Sequence, residues 1–250
     1  AGFRFGVCIS RVKCTTQNSV LFIRNIVCPT FEKNLMSEKV SGARSHQIDG
    51  LQSGQYQFPY HYIPSRNTFP MFSKSWRFAP SYLAALNLVE DWLVELTSKN
   101  EMHRHMDYGC GDGGFLNALR KADCLTGVKF NGVDFDSRAI EWARIFSTDD
   151  SVFECVDVHD LREETFDSGS LIEVFEHIPP AEGAHFVEGL AKSLKKGAEL
   201  FVTVPSTQKP VEEKHYRHFD FALLEECFAS HFDVIDKFGF ERQTLLPKLL

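Results

Sequence analysis

The run Asp107-Tyr108-Gly109-Cys110-Gly111-Asp112-Gly113-Gly114 sets four glycines and two carboxylates close together. Gly109, Gly111 and Gly114 fit the spacing G-x-G-x-x-G, which lets backbone approach a ligand because no Cβ stands in the way. Dinucleotide enzymes share that spacing, but there a pyrophosphate meets a helix N-terminus that offers donors and positive potential. Asp107 and Asp112 suit a phosphate poorly and a cation well. More carboxylates follow at the ends of apolar runs. Asp134 stands 20 residues after Gly114 (134 − 114), where it can accept from both ribose hydroxyls, and Asp157 falls where an adenine amino group would lie. A nucleoside that is cationic and carries no phosphate meets these demands, and S-adenosylmethionine is one. On the glycines alone an NAD-dependent oxidoreductase competes with this reading, and a non-catalytic binding module is a third.

A second cluster is Glu173-Val174-Phe175-Glu176-His177, joined later in the chain by Lys214-His215-Tyr216-Arg217-His218-Phe219. Two carboxylates and an imidazole, completed by His215 or His218, would suit a hard divalent ion such as Mg2+. Alternatively Glu176 or His177 removes a proton from an acceptor, with His215 and His218 as further contacts or bases. The third reading is that Glu-His only caps the following helix and shapes its loop. The expectation carried forward is no metal, with Glu173, Glu176 and His177 as the ligands if one is bound.

These residues need elements to hold them. Strand-like runs at 103–109, 128–134, 152–158, 170–175, 199–205 and 232–240 alternate with helical patterns at 113–122, about 137–147, after Pro179-Pro180 and after Asp220. That alternation predicts an α/β fold with a doubly wound, mostly parallel sheet covered on both faces. Ser81 should cap an amphipathic helix in which Tyr82, Leu86, Val89, Leu93 and Leu96 share a face. Before it, residues 56–82 hold nine aromatic rings and four prolines, so they read as a lid or as padding without long helices.

Residues 103–205 resemble the class I S-adenosylmethionine-dependent methyltransferases. DYGCGDGGF is similar to that family's first motif, VDFD to its acidic second motif and CVDVHDL to its adenine-contacting segment; IEVFEHIP and LFVTVPS are similar to its fourth and fifth strands. The resemblance implies that Asp107, Gly109, Cys110 and Gly111 lie against the methionine part of the cofactor. It also implies that Asp134 holds the ribose and that Asp157 with Val158 frames the adenine, with Phe135 and Glu173 as further cofactor-binding candidates. Glu173-x-x-Glu176-His177 is also similar to the motif of the metal-assisted small-RNA 2′-O-methyltransferases and ubiquinone-pathway O-methyltransferases. Two departures stand out. Arg104 and His105 occupy positions the family usually fills with apolar residues, and no final antiparallel strand is visible, because QTLLPKLL is short and contains Pro247.

The formal net charge of −7 weighs against a broad grip on nucleic acid and for a small-molecule acceptor, with a metal-assisted RNA 2′-O-methyltransferase as the alternative. S-adenosyl-L-homocysteine would be the product. Seven cysteines without CxxC spacing suit a reducing compartment, and no run is long enough to span a bilayer, so the expected location is cytoplasmic. Residues 1–31 contain no Asp or Glu but four Lys or Arg. They read as an organelle import signal if residues 1–35 are native, and otherwise as artefactual upstream sequence. The expected organisation is a disordered or artefactual segment 1–55, an aromatic extension with a helix over 56–100, and a cofactor-binding domain over 101–250.

Overall fold

The computed structural model describes residues 16–25, 42–59, 61–62, 74–97, 103–149 and 152–242. Their strands make one sheet: β1 (Thr16–Asn25), β2 (His103–Tyr108), β3 (Val128–Asp134), β4 (Phe153–Cys155), β5 (Phe166–Ile172), β6 (Leu194–Pro205) and β7 (Phe232–Arg242). The order across the sheet is β4-β3-β2-β5-β6-β1-β7. Strands β2 to β6 pair in parallel, as the βα alternation requires. From β2 the chain winds outward to β3 and β4, then returns to build β5 and β6 on the other side. A ligand crevice opens where the winding reverses, at the carboxyl ends of β2 and β5.

Among the described residues six α-helices accompany the sheet: α1 (Gly42–Gln55), α2 (Lys74–Thr97), α3 (Gly114–Leu119), α4 (Ser137–Ile145), α5 (Gly183–Ser193) and α6 (Phe221–Phe228). Two apolar clusters fill the sheet's two faces. One joins β2, β5 and β6 to α5 and α6 through Met106, Leu171, Leu190, Leu200 and Phe228. The other joins Val89 and Leu93 of α2 to Leu116, Phe130, Ile140, Phe153 and Phe201. Asp136 caps α4 by accepting from Arg138 N and Ala139 N, and Asp220 caps α6 through Leu223 N. No helix among the described residues is long and apolar enough to cross a membrane.

Three expectations need correction. The sheet does not lack its antiparallel strand. β1 lies between β6 and β7 and pairs antiparallel with both. A segment read as disordered or artefactual is thus an interior strand, and residues 42–55 are helical. The physical reason is that a ladder joins neighbours in space, so an interior slot accepts any strand whose residues alternate correctly, wherever it lies in the chain. Leu21 and Ile23 enter the cluster with α5 and α6, while Val20 and Phe22 enter the opposite one. In addition, α2 starts at Lys74 rather than at Ser81. Pro80 removes only one helical N–H, so the helix continues through it. Of the rings in 56–82, Tyr60, Phe69 and Phe72 lie outside the described residues, as do the side chains of Trp76 and Phe78.

The polar residues of β2 do not loosen its pairing, which runs over six residue pairs with β3 and three with β5. Arg104 is exposed with its guanidinium 5.5 Å from the Phe166 ring, and His105 is buried between Ser168 and Ser170.

If β1 is an interior strand, Ile23→Ala should lower the unfolding free energy by about 2–5 kcal/mol, the range for truncating a fully buried aliphatic side chain. Urea denaturation followed by circular dichroism measures this. An unchanged midpoint would mean that residues 16–25 take no part in the core.

Candidate functional site

At the carboxyl end of β2 the chain turns through Gly109 and Gly111, both at positive φ (70° and 56°). Side chains avoid that region, and a Cβ on Gly109 would stand 2.6 Å from Val174 Cγ2. Gly109 N and Cys110 N both donate to Val133 O, at 2.8 and 2.9 Å, which ties the turn to the end of β3. The next residue of β3, Asp134, accepts from Gly111 N at 3.0 Å and from Asp136 N at 2.9 Å. Burial raises its carboxyl to about 6 despite these two donors. Asp107, the penultimate residue of β2, is buried and pushed up to about 7, with the Ser170 hydroxyl opposing the shift and the charge of Asp134 adding to it. Two carboxylates that resist ionisation therefore share one wall, and a bound cation would relieve both.

That wall belongs to a cavity of about 810 Å³. Asp107, Gly109, Cys110, Gly111, Asp134, Phe135, Asp157, Val158, Glu173, Glu176, His177 and His215 all line it. The Phe135 ring is 73% exposed beside Asp134, open to stack on a planar base. Asp157 spends one oxygen on His159 N, 2.9 Å away.

Two expected residues stand elsewhere. Asp112 does not meet the cavity: its carboxylate accepts from His61 N at 3.0 Å and pairs with His61 Nδ1 at 2.6 Å, so it anchors the segment after α1 rather than a cationic ligand. His218 lies behind the cavity wall against His215.

Helix α1 covers the opening, and Ile48, Asp49, Gln52 and Tyr56 line the cavity from above. Polar contacts hold the cover. Ser53 Oγ donates to Asp136 Oδ2 at 2.6 Å, Trp142 Nε1 donates to Tyr56 O at 2.9 Å, and Tyr216 OH donates to Asp49 Oδ1 at 3.4 Å. None of these residues except Tyr56 was a candidate in the sequence, where α1 has no strong apolar periodicity. Lys214, from the Lys214–Phe219 segment, and Lys209, which the sequence did not single out, also line the cavity from the loop after β6.

The far end carries the second cluster. Glu173 follows β5 at φ 54°, a left-handed conformation uncommon for a side chain with a Cβ and a mark of a constrained site. Glu176 is 1% exposed, and neither carboxylate oxygen has a hydrogen-bond partner among the described residues. Burial first, then the charge of Glu173, holds its carboxyl well above the usual range. His177 Nδ1 lies 3.0 Å from Lys214 O, so it carries the proton and leaves Nε2 as a lone pair, 3.8 Å from Glu176 Oε1. His218 Nδ1 likewise donates to Lys209 O at 3.1 Å, and its Nε2 accepts from His215 Nδ1 at 2.8 Å. That leaves His215 Nε2 as a second lone pair. Burial holds the His177 imidazole down at about 3 and drives His215 down as well, so both rings stay neutral. Glu176, His177 and His215 each offer a ligand atom, all within 4.8 Å of one another. The expected metal set had Glu173 in the place that His215 takes here.

Residues 76–243 match a family described as a methyltransferase domain. The ubiquinone biosynthesis O-methyltransferase of Bordetella avium (strain 197N) is 26% identical over 117 residues, which are 44% of this chain and 46% of that protein. The match thus spans about half the length of that curated relative. Among solved structures, a SAM dependent methyltransferase from Archaeoglobus fulgidus is 16% identical with a TM-score of 0.47, over 63% of this chain and 73% of that one. The magnesium protoporphyrin IX methyltransferase of Synechocystis PCC 6803, solved with SAH bound, is 18% identical with a TM-score of 0.47, over 60% and 68%.

A Cβ on Gly111 would stand 3.0 Å from the Tyr56 hydroxyl, so this glycine keeps the cradle open beneath α1. Gly111→Val should abolish binding of S-adenosylhomocysteine in a calorimetric titration, and Asp134→Ala should weaken it by about 1.5–3 kcal/mol, the scale of hydrogen bonds to a charged group. Unchanged affinity in either variant would remove that residue from the site.

Proposed function

The chain belongs to the family of methyltransferase domains, with S-adenosylmethionine as its methyl donor, and from that premise we propose that it methylates an oxygen of a small-molecule acceptor held beside Glu176, His177 and His215. The donor fits the residues present. A cradle without side chains at Gly109 and Gly111, buried carboxylates at Asp107 and Asp134, and an open ring at Phe135 meet a cationic nucleoside that carries no phosphate. Asp107 and Cys110 would face its methionine part, Asp134 its ribose, and Phe135, Asp157 and Val158 its adenine. When bound, S-adenosylmethionine supplies the activated methyl group, so the chain's own task is alignment, exclusion of water and management of one proton.

The observation that carries the oxygen acceptor is Glu176. A hydroxyl must lose its proton as it is methylated, and a base is most effective when its affinity for protons approaches that of the group it serves. Burial and the neighbouring Glu173 raise the Glu176 carboxyl well above an ordinary carboxylate, and neither of its oxygens has a hydrogen-bond partner among the described residues. His177 and His215, held neutral with Nε2 lone pairs, are acceptors that orient a hydroxyl and poor proton stores. Glu173 adds a second carboxylate that strengthens Glu176 as a base.

The acceptor class follows from the lining. Nine acidic residues line the cavity against two lysines, Lys209 and Lys214, among the described residues. A phosphate backbone would meet repulsion there. A compact acceptor that slips under α1 suits it better than RNA.

A second reading has one specific support, the three ligand atoms of Glu176, His177 and His215. Two imidazoles and one carboxylate fit a divalent ion of the zinc, manganese or iron type better than the expected Mg2+. Such an ion would hold Glu176 ionised and polarise an acceptor oxygen. The charge of Lys214 beside His177 and His215 opposes it.

Methyl transfer from labelled S-adenosylmethionine to a panel of phenols, catechols and other small hydroxylated compounds tests the proposal, with RNA as the contrasting substrate. Glu176→Gln should lower kcat by about 10²–10⁴-fold, the usual contribution of a general base, while S-adenosylhomocysteine affinity stays within about twofold. Full activity in EDTA supports the base. Loss in EDTA with recovery on adding manganese or zinc would transfer the role to a metal, and methylation of RNA alone would overturn the small-molecule acceptor.

A further inference from the structure

A row of polar side chains runs through the interior of the sheet, away from the acceptor. His103, His105 and Asp107 share one face of β2, and Ser168 and Ser170 of β5 stand across from His105 and Asp107 in the parallel register. All five are buried, His105 completely. Packing does not require them, since aliphatic residues favour such positions and every buried polar atom costs free energy unless bonded.

Their hydrogen bonds form one continuous line. Ser170 Oγ donates to Asp107 Oδ1 at 2.6 Å. The Ser170 oxygen then accepts from His105 Nε2–H at 3.0 Å, which leaves His105 Nδ1 to accept from Ser168 Oγ–H at 2.8 Å. Ser168 in turn accepts from His103 Nε2–H at 2.7 Å. His103 Nδ1 ends the line, buried and without a hydrogen-bond partner among the described residues. Each donor thus points toward Asp107, and bonds aligned in this way strengthen one another in a medium of low polarity. From His103 to Asp107 the line covers about 13 Å of strand, at roughly 3.3 Å per residue.

We propose that His103, Ser168, His105, Ser170 and Asp107 form a proton relay joining the base of the sheet to the carboxylate that meets the cationic end of S-adenosylmethionine. The proposal rests on the assignment of Asp107 to that cofactor's site. A proton taken up at His103 Nδ1 is balanced by four transfers: His103 Nε2 to Ser168, Ser168 to His105 Nδ1, His105 Nε2 to Ser170, and Ser170 to Asp107. Both rings end neutral with their tautomers exchanged, and Asp107 ends as the acid. The reverse sequence ionises Asp107 and delivers its proton to the far end of β2, while the ligand itself blocks the cavity side.

The surroundings confine the proton to this line. His105 is flanked by the Trp92 ring of α2 and the Phe130 ring of β3, and His103 is the neighbour whose charge acts on it. Burial holds the His105 imidazole down at about 3, so it passes a proton on without storing it. His103 has the charges of Asp167 on β5 and Lys195 on β6 nearby, the first favouring and the second opposing a proton. Asp107 is met by Ser170 of β5 and Asp134 of β3, and the Cys110 thiol of the glycine turn lies within reach of its charge. Its carboxyl at about 7 places the exchange near neutrality: the ionised form binds a cation, so affinity should fall as pH drops through 7.

The test is nitrogen-15 NMR of the histidine rings in the intact chain, with and without S-adenosylhomocysteine at pH 6, together with calorimetric titrations over pH 5.5–8.5 in two buffers of different ionisation enthalpy. The expected result is that His103 and His105 pass from the Nδ1–H to the Nε2–H tautomer on ligand addition, with proton release below about pH 7. In Ser168→Ala, which touches no ligand, the midpoint of the affinity profile should move up by about half a pH unit or more, and Ser168→Thr should restore it. Rings that keep their tautomers, or a Ser168→Ala profile identical to that of the native chain, would overturn the relay. If the native chain binds no S-adenosylhomocysteine at any pH, the cofactor assignment itself has failed.

Discussion

Two buried carboxylates at adjacent strand tips govern this molecule. Asp107 and Asp134 end neighbouring parallel strands, face one cavity and are both raised toward neutrality by burial. Each is held in place by fixed donors, Ser170 for Asp107 and the amides of Gly111 and Asp136 for Asp134. An arrangement of that kind is unfavourable without a positive partner and favourable with one, because Coulomb attraction grows as water is excluded. The glycine turn serves the same end. By removing Cβ atoms at Gly109 and Gly111 it lets a ligand reach the two acids, and by donating Gly111 N it orients one of them.

The sheet that presents these tips is completed from an unexpected part of the chain. β7 pairs only with β1 among the described strands, so its place in the fold depends on residues 16–25. The same β1 covers β6, whose carboxyl end carries Pro205 into the cavity. Strand β1 therefore supports the acceptor side of the site without contributing a functional side chain. An interior strand with Val20, Leu21 and Ile23 fully buried forms part of both apolar layers.

Much of the site was legible in the sequence because its determinants are local. Glycines at fixed spacing, an acid at the end of each apolar run and the Glu173–His177 segment can be read without knowing how strands pair, and Asp107, Gly109, Gly111, Asp134, Asp157, Glu173, Glu176 and His177 all line the cavity, whereas Asp112 and Gly114 do not. Asp112 misled because a carboxylate's charge is visible in a sequence while its partner, His61, is not. The candidate metal set shifted from Glu173 to His215 for a similar reason: the loop after β6 folds back so that Lys214 O accepts from His177 Nδ1, a contact across 37 positions. β1 was hidden because a short apolar strand carries little signal, and its acid-free surroundings resembled an import signal. His105 looked like a flaw in β2. Ser168 and Ser170, more than sixty positions away, make it one member of a satisfied row.

Burial produces opposite chemistry at the two ends of the cavity, and the difference lies in what accompanies each acid. At the donor end, backbone amides and a serine hydroxyl already stabilise the ionised carboxylates, so a modest further gain from a cation completes the change. At the other end, no second residue among those described donates to the Glu176 carboxylate, and ligand atoms of its neighbours His177 and His215 lie within 4.8 Å of it. Those neighbours cannot stabilise a carboxylate, but they can accept from a neutral acid or from an incoming hydroxyl. The same depth of burial thus leaves Asp107 and Asp134 with fixed donors that favour their ionised forms and raises Glu176 without them, which suits the proposed roles of the first two toward a cationic cofactor and of the third as a base. Methyl transfer to a hydroxyl, as proposed, would draw on both conditions in one cavity, because the donor arrives with a positive charge and such an acceptor leaves with one proton fewer.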